Sequence, residues 1–203
     1  MVECWILGTR FWEKRAPRFC DLIFVICRLT GGKTGPRVHG PTELQNMNVD
    51  GKDIRPIWLH DDEITVRVID QRRLPHEFVI LDITTVDDCI HSIQDMVVRG
   101  APLIGVTAAY GVYLASLTAI TQTDPDTFFN NACRRIKAAR PTAVNLIWAV
   151  DRVTTAVASA TDPRERVRKV RIEAARIAEE EAENCRNIGQ HGVSLIETLH
   201  EQK

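Results

Sequence analysis

Three things are scarce in these 203 residues, and each scarcity removes a class of function. Net charge is one: 26 Lys and Arg against 27 Asp and Glu leave a formal −1. No basic patch argues for nucleic acid and no acidic run for a tail. Cysteine pairing is another. The six cysteines form no C-x-x-C and no Cys/His spacing of a metal site, which reads as reduced thiols in a cytoplasmic protein without a metal. The third is a long run of strong hydrophobes. Leu22 to Cys27 is far too short to span a bilayer. Ala101 to Ile120 is long enough, 20 residues without a charge, but Gly, Ala, Ser, Thr and Tyr fill more than half of it. A helix apolar all round yet rich in small residues fits a tightly packed core helix, so no membrane is expected. Glu3, Arg10, Glu13, Lys14 and Arg15 break up the N-terminus, so no secretory signal is expected either.

Residues 1 to 46 differ from the rest of the chain. Trp5, Phe11, Trp12 and three of the six cysteines (Cys4, Cys20, Cys27) fall there, before a Gly/Pro-rich stretch from Gly31 to Pro41. No period of helix or strand persists. The expectation is an atypical extension over 1–46, upstream sequence read through from a misplaced start, and a coherent domain over 47–203 that opens at Met47.

From Met47 the pattern sharpens. Ile54 to Leu59 and Ile64 to Ile69 read as strands joined by the polar connection His60-Asp61-Asp62-Glu63, with Ile64, Val66 and Val68 on one face. Phe78 to Ile83 reads as a third strand. Thr85-Val86-Asp87-Asp88 has the form of a capping box. The helix that it starts places Val86, Cys89, Ile90, Ile93, Met96 and Val97 on one face. Asp126 to Ala139 and Asp162 to about Asn187 read as further helices. The last carries Glu165/Lys169 and Glu173/Arg176 as a solvated charge ladder, and Gly189 and Gly192 break it. The class expected is α+β and mostly helical, a small antiparallel β-sheet followed by a helical bundle.

Two junctions carry chemistry. Val98-Arg99-Gly100-Ala101-Pro102 joins the capped helix to the uncharged one, with Gly100 suited to a left-handed helix end and Pro102 to a helix start. Free backbone N–H groups and the positive helix end then meet Arg99, the grammar of an oxyanion or phosphate site. Arg140-Pro141-Thr142-Ala143-Val144-Asn145-Leu146 repeats it: an arginine, a proline, a helix start. A plain helix–helix turn with a solvated arginine accounts for the first junction equally well, and Arg140 as a C-terminal cap accounts for the second.

Met47 to His200 resembles the methylthioribose-1-phosphate isomerase family. The resemblance rests on Met47-Asn48-Val49-Asp50-Gly51-Lys52, Ile57-Trp58-Leu59, Val68-Ile69-Asp70-Gln71 with Leu74-Pro75, and Met96 to Gly105 with Ala108-Ala109-Tyr110-Gly111. Arg140 to Leu146 and Ile188-Gly189-Gln190-His191-Gly192 complete it. It implies a cofactor-free aldose–ketose isomerisation of 5-methylthioribose 1-phosphate in methionine salvage, a sugar phosphate as the small-molecule partner, and a homodimer. It further implies that Arg99, Gly100 and Ala101 contact the substrate with Arg140 as a second contact. The family's catalytic cysteine and aspartate lie in a Rossmann-like C-terminal domain beyond Lys203, so the resemblance assigns no catalytic residue here and implies a truncated, inactive portion. Cys89 and Cys133 read as core cysteines. A regulatory sugar-phosphate- or partner-binding subunit related to translation initiation factor 2B is the alternative, and a non-functional gene fragment a third.

Overall fold

The computed structural model describes residues 47–49 and 52–201. The extension expected over 1–46 lies outside them. The chain divides into two units, Met1–Arg55 and Pro56–Lys203. In the first, β1 (Met47–Val49) and β2 (Lys52–Ile54) form an antiparallel hairpin, with Met47 opposite Ile54.

The second unit opens with β3 (Ile57–Leu59), β4 (Val66–Ile69) and β5 (Ile80–Ile83), an antiparallel sheet in the order β3-β4-β5. Ile57 stands opposite Val68, and Val66 opposite Ile83, so these buried residues share the covered face. On the other face Arg67 stands opposite Asp82, and its Nε donates to the carboxylate at 2.9 Å. Each of the three strands is shorter than its pattern suggests, and at the β3–β4 turn the reason is visible. The Asp62 carboxylate accepts from the amides of Ile64 and Thr65, both at 2.9 Å, and from the Thr65 hydroxyl at 2.7 Å. A carboxylate that captures the next amides competes with the strand ladder. Ile64 therefore sits in the turn, 58% exposed, and pairing begins at Val66.

Helix α1 (Val86–Gln94) starts on the expected capping box: Thr85 Oγ1 accepts from the Asp88 amide, and the Asp88 carboxylate accepts from the Thr85 amide in return. It ends earlier than its periodicity implies. Asp95 caps it, and Met96 takes the left-handed backbone (φ 57°) expected of Gly100 at the helix end. The apolar spacing continues through Val97 and Val98 because both are buried in the core, not because the helix continues.

Helix α2 (Ala101–Ala119) is the element around which α3 (Pro125–Ala138), α4 (Val144–Ala156) and α5 (Pro163–Glu201) pack, with α1 against it as well. By length and composition it could cross a membrane, yet 78% of its apolar window is buried within the fold. Small residues make this possible. A Cβ at Gly111 would lie 2.4 Å from Cys89 Sγ, and one at Gly105 would lie 3.2 Å from the Asn145 carbonyl oxygen. Cys89 and Cys133 are core residues, as their surroundings in the sequence suggest.

Two expectations fail on α5. It runs unbroken through Gly189 and Gly192 to Glu201. A helical glycine costs about 1 kcal/mol relative to alanine, which flanking helix formers outweigh. Glu165 and Lys169 do pair on the surface at 2.8 Å, but Glu173 is 7% exposed and belongs to no solvated ladder. It accepts from Arg152 Nε on α4 at 2.7 Å and from Arg176 at 2.8 Å. Arg152 also grips Glu180 with both terminal nitrogens, at 2.5 and 2.9 Å, and lies over the Trp148 ring.

Candidate anion site at the α2 N-terminus

Arg99, Gly100 and Ala101 sit together where the chain enters α2. Gly100 is the N-cap residue, with φ 95° and ψ 135°, a conformation that strains any residue with a side chain. A Cβ there would meet nothing within 4 Å, so backbone geometry and not crowding calls for glycine. No side chain caps the helix, no acidic residue lies in its first turn, and Pro102 stands in that turn. The positive end of a 19-residue helix is thus left uncapped by protein side chains.

Arg99 is half-buried beside it and held from one side. Its amide donates to Gln71 Oε1 at 2.7 Å, and its Nη2 donates to the Gln71 main-chain oxygen at 2.5 Å. Its Nε is buried, and it is the buried side-chain nitrogen without a hydrogen-bond partner among the described residues. An unpaired buried donor costs roughly 1–3 kcal/mol, more for a charged group, so the fold leaves this nitrogen with bonding capacity that a further acceptor would satisfy. The donor set suits an oxyanion: a planar fork, one terminal nitrogen tied down and a buried Nε unspent, at a helix N-terminus.

Arg140 opens the α3–α4 connection, half-buried, and its side chain has no hydrogen bond or ion pair among the described residues. The helix after it starts later than the sequence grammar implies. Val144 and not Pro141 begins α4, because Arg140 to Ala143 first closes a turn through the Ala143 amide and the Arg140 carbonyl at 3.0 Å. The two junctions are nonetheless linked. Gly105, the fifth residue of α2, touches the backbone of Asn145, the second residue of α4.

The turn that contacts Arg99 is marked in the sequence only by Asp70-Gln71, as part of the family resemblance, with no site role attached to it. Asp70, 2% exposed, holds Arg72 by its Nε at 2.9 Å, its Nη2 at 2.8 Å and its amide at 3.0 Å. The Arg72 guanidinium keeps the Asp70 carboxyl below the usual carboxylate range. Asp70-Gln71 stands in the sequence as a polar pair after an apolar strand, but nothing in its spacing points to Arg99, 28 residues on from Gln71.

The two buried thiols offer no nucleophile or base. Burial pushes Cys89 up to about 12 and Cys133 up to about 11, and the Cys89 thiol faces the Thr107 carbonyl oxygen at 3.4 Å. A separate cleft of about 310 Å³ is lined by Leu59, His60, Asp61, Glu63, Tyr110, Arg171 and Ala175. Within it Arg171 and Glu63 pair with each other, Nη1 2.7 Å from Oε2. No cluster of three or more metal-ligating side chains occurs among the described residues.

An uncapped helix end beside a partly tied arginine has the donor chemistry that suits an anion, and likeness to known proteins agrees with the fold that carries it. Residues 97–202, just over half of the chain, match the Initiation factor 2 subunit family, and the chain belongs to that family. Within it the chain is similar to the methylthioribose-1-phosphate isomerase of Desulfosudis oleivorans, 56% identical over 149 residues, which are 73% of this chain and 40% of the relative. It is 46% identical over 159 residues to the enzyme of the same name from Desulfatibacillum aliphaticivorans, covering 77% of this chain and 43% of the relative. The fold is shared with 5-methylthioribose 1-phosphate isomerase from Pyrococcus horikoshii (TM-score 0.57, 35% identity, 62% of this chain and 36% of that one). It is shared as well with translation initiation factor eIF-2B subunit delta from A. fulgidus (TM-score 0.56, 28% identity, 63% and 37%). The chain thus spans about 40% of the length of the curated relatives it matches.

Proposed function

We propose that this chain carries the phosphate-binding part of a methylthioribose-1-phosphate isomerase site, serving the conversion of 5-methylthioribose 1-phosphate to 5-methylthioribulose 1-phosphate in methionine salvage. The observation that carries the reading is the buried, unpaired Nε of Arg99 at the uncapped start of α2. In this reading Arg99 and the amides of Gly100 and Ala101 hold the phosphate, and Arg140 supplies a second positive contact from the turn between α3 and α4. Aldose–ketose isomerisation moves a proton between adjacent carbons and needs a group of tuned pKa in a site closed to water. The described core cysteines are buried and held neutral, and Asp70 is committed to Arg72. The role proposed for these 203 residues is therefore binding and orientation without turnover of their own.

Calorimetric titration of the 203-residue chain with methylthioribose 1-phosphate tests the binding, and a ketose assay tests the turnover. Wild type is expected to bind in a salt-sensitive manner, since a partly solvated site leaves each charge in high dielectric. Arg99→Ala should weaken binding by one to two decades, the cost of about 1.5–3 kcal/mol for a charge-assisted hydrogen bond. Arg99→Lys should recover part of the loss, because the charge returns without the fork. Equal affinity in wild type and Arg99→Ala would show that the arginine only holds the fold together. Enzyme-like turnover by this chain would place the proton-transfer groups within it.

A further inference from the structure

We infer that Gln71 is the positioning residue of this site, the group that sets the backbone and the guanidinium of Arg99 and so determines which donors an anion meets. The inference rests on the phosphate reading of Arg99 and adds a residue that the reading does not require. Its basis is a set of three hydrogen bonds from one residue. The Gln71 amide donates to the Val97 carbonyl at 3.0 Å, Gln71 Oε1 accepts from the Arg99 amide at 2.7 Å, and the Gln71 carbonyl accepts from Arg99 Nη2 at 2.5 Å.

Each bond removes one freedom. The Val97 bond ties the β4–β5 connection to the segment leading into α2. The side-chain bond fixes the peptide between Val98 and Arg99, just before the left-handed Gly100. The carbonyl bond occupies one end of the guanidinium. Arg99 is thereby turned so that its Nε lies buried and unpaired. Because the guanidinium is planar and rigid, fixing one nitrogen fixes the direction of the others. A lysine in the same place has no second edge to orient.

The Gln71 turn is itself braced. Asp70 on one side is buried and binds the Arg72 amide and guanidinium on the other, and Arg72 Nη1 reaches Asp95 at the end of α1 at 4.0 Å. Gln71 therefore stands between two anchored neighbours, so contacts other than those to Arg99 also fix its position. A free arginine would lose several rotatable bonds on binding an anion. Here that ordering is done by the fold, which is how preorganisation raises affinity.

The test is a double-mutant cycle on the whole 203-residue chain, with methylthioribose 1-phosphate as probe and hydrogen exchange at the Arg99 amide as a second readout. Gln71→Met keeps the length of the side chain and removes the acceptor. It should weaken binding about tenfold in the wild-type background, as loss of an orienting hydrogen bond does, and weaken it clearly less in the Arg99→Ala background, where only the amides of Gly100 and Ala101 remain to be held in place. It should also speed exchange of the Arg99 amide about tenfold, by the same loss of a bond. Equal weakening in both backgrounds, or none in either, would overturn the inference. If wild type binds no phosphate at all, the phosphate reading fails, and Arg99 amide exchange alone decides Gln71: acceleration in Gln71→Met supports the holding role, and an unchanged rate refutes it.

Discussion

Gly105 meets Asn145 so closely that a methyl group on Gly105 would lie 3.2 Å from the Asn145 carbonyl oxygen. This contact draws the first turn of α4 against the second turn of α2, one turn inside each of the two arginine junctions. Gly105→Leu should force the helices apart and cost roughly 1–3 kcal/mol by overpacking. Gly105→Ala should cost less, because a shift of a few tenths of an ångström accommodates it. Urea unfolding of both variants checks the order, and wild-type stability in Gly105→Leu would mean that the helices are free to separate.

Gly111 faces a side chain in place of a backbone, so its substitution can be rescued. A Cβ there would stand 2.4 Å from Cys89 Sγ. Gly111→Ala should destabilise by roughly 1–3 kcal/mol despite the better helix propensity of alanine. In a Cys89→Ala background the sulfur is gone, and Gly111→Ala should become neutral or stabilising. A coupling energy near zero in that cycle would refute the contact.

Arg152 joins α4 to α5 through Glu173 and Glu180, and both carboxylates lose their main partner without it. Glu173 is the buried one of the pair. Arg152→Ala should cost roughly 3 kcal/mol, the low end for breaking a buried ion pair, since Arg176 still reaches Glu173. The double variant Arg152→Met with Glu173→Gln should recover much of that loss by removing the stranded charge. Thermal unfolding distinguishes them. A double variant no more stable than Arg152→Ala would show that the pairing itself, and not the stranded carboxylate, sets the cost.

Acid should loosen the turn that holds Arg99. Asp70 is lowered from 3.8, first by its hydrogen bonds from the Arg72 side chain and against the effect of burial. Asp62 in the β3–β4 turn is lowered to about 2, chiefly by the Thr65 hydroxyl. A carboxylate with a folded pKa below its unfolded value adds stability that is complete above about pH 4 to 5. That stability is lost as pH falls from there through the folded pKa. Stability should therefore drop below about pH 4, and Asp70→Asn should both lower stability at about pH 7 and flatten that acid limb. Urea midpoints measured across the acid range check this, and a limb of unchanged steepness in Asp70→Asn would show that Asp70 does not control it.

Local and compositional features of this protein can be read straight from its residues. The capping box at Thr85 and Asp88 is legible because both partners lie within four residues. Ala101 to Ala119 is legible as a core helix because it is uncharged yet rich in small residues that allow close packing. The three strands of the sheet fall within two or three residues of their expected ends, and the core cysteines lie where their neighbours imply. Arg99, Gly100, Ala101 and Arg140 are legible as a pattern of arginine, turn residue and helix start.

Tertiary structure decides whatever depends on residues far apart in the chain. Met96 and not Gly100 takes the left-handed turn after α1, because Val97 and Val98 must reach the core while Gly100 opens α2. Gly189 and Gly192 do not end α5, since a propensity penalty is a bias and not a stop. Glu173 looks like one rung of a surface ladder, and only the approach of α4, bringing Arg152 from 21 residues away, buries it. The same holds at the anion site. Gln71 and Arg99 are 28 residues apart, and a hydrogen bond between them leaves no trace in local spacing, because its geometry exists only once the β4–β5 connection and the entry to α2 have been folded against each other.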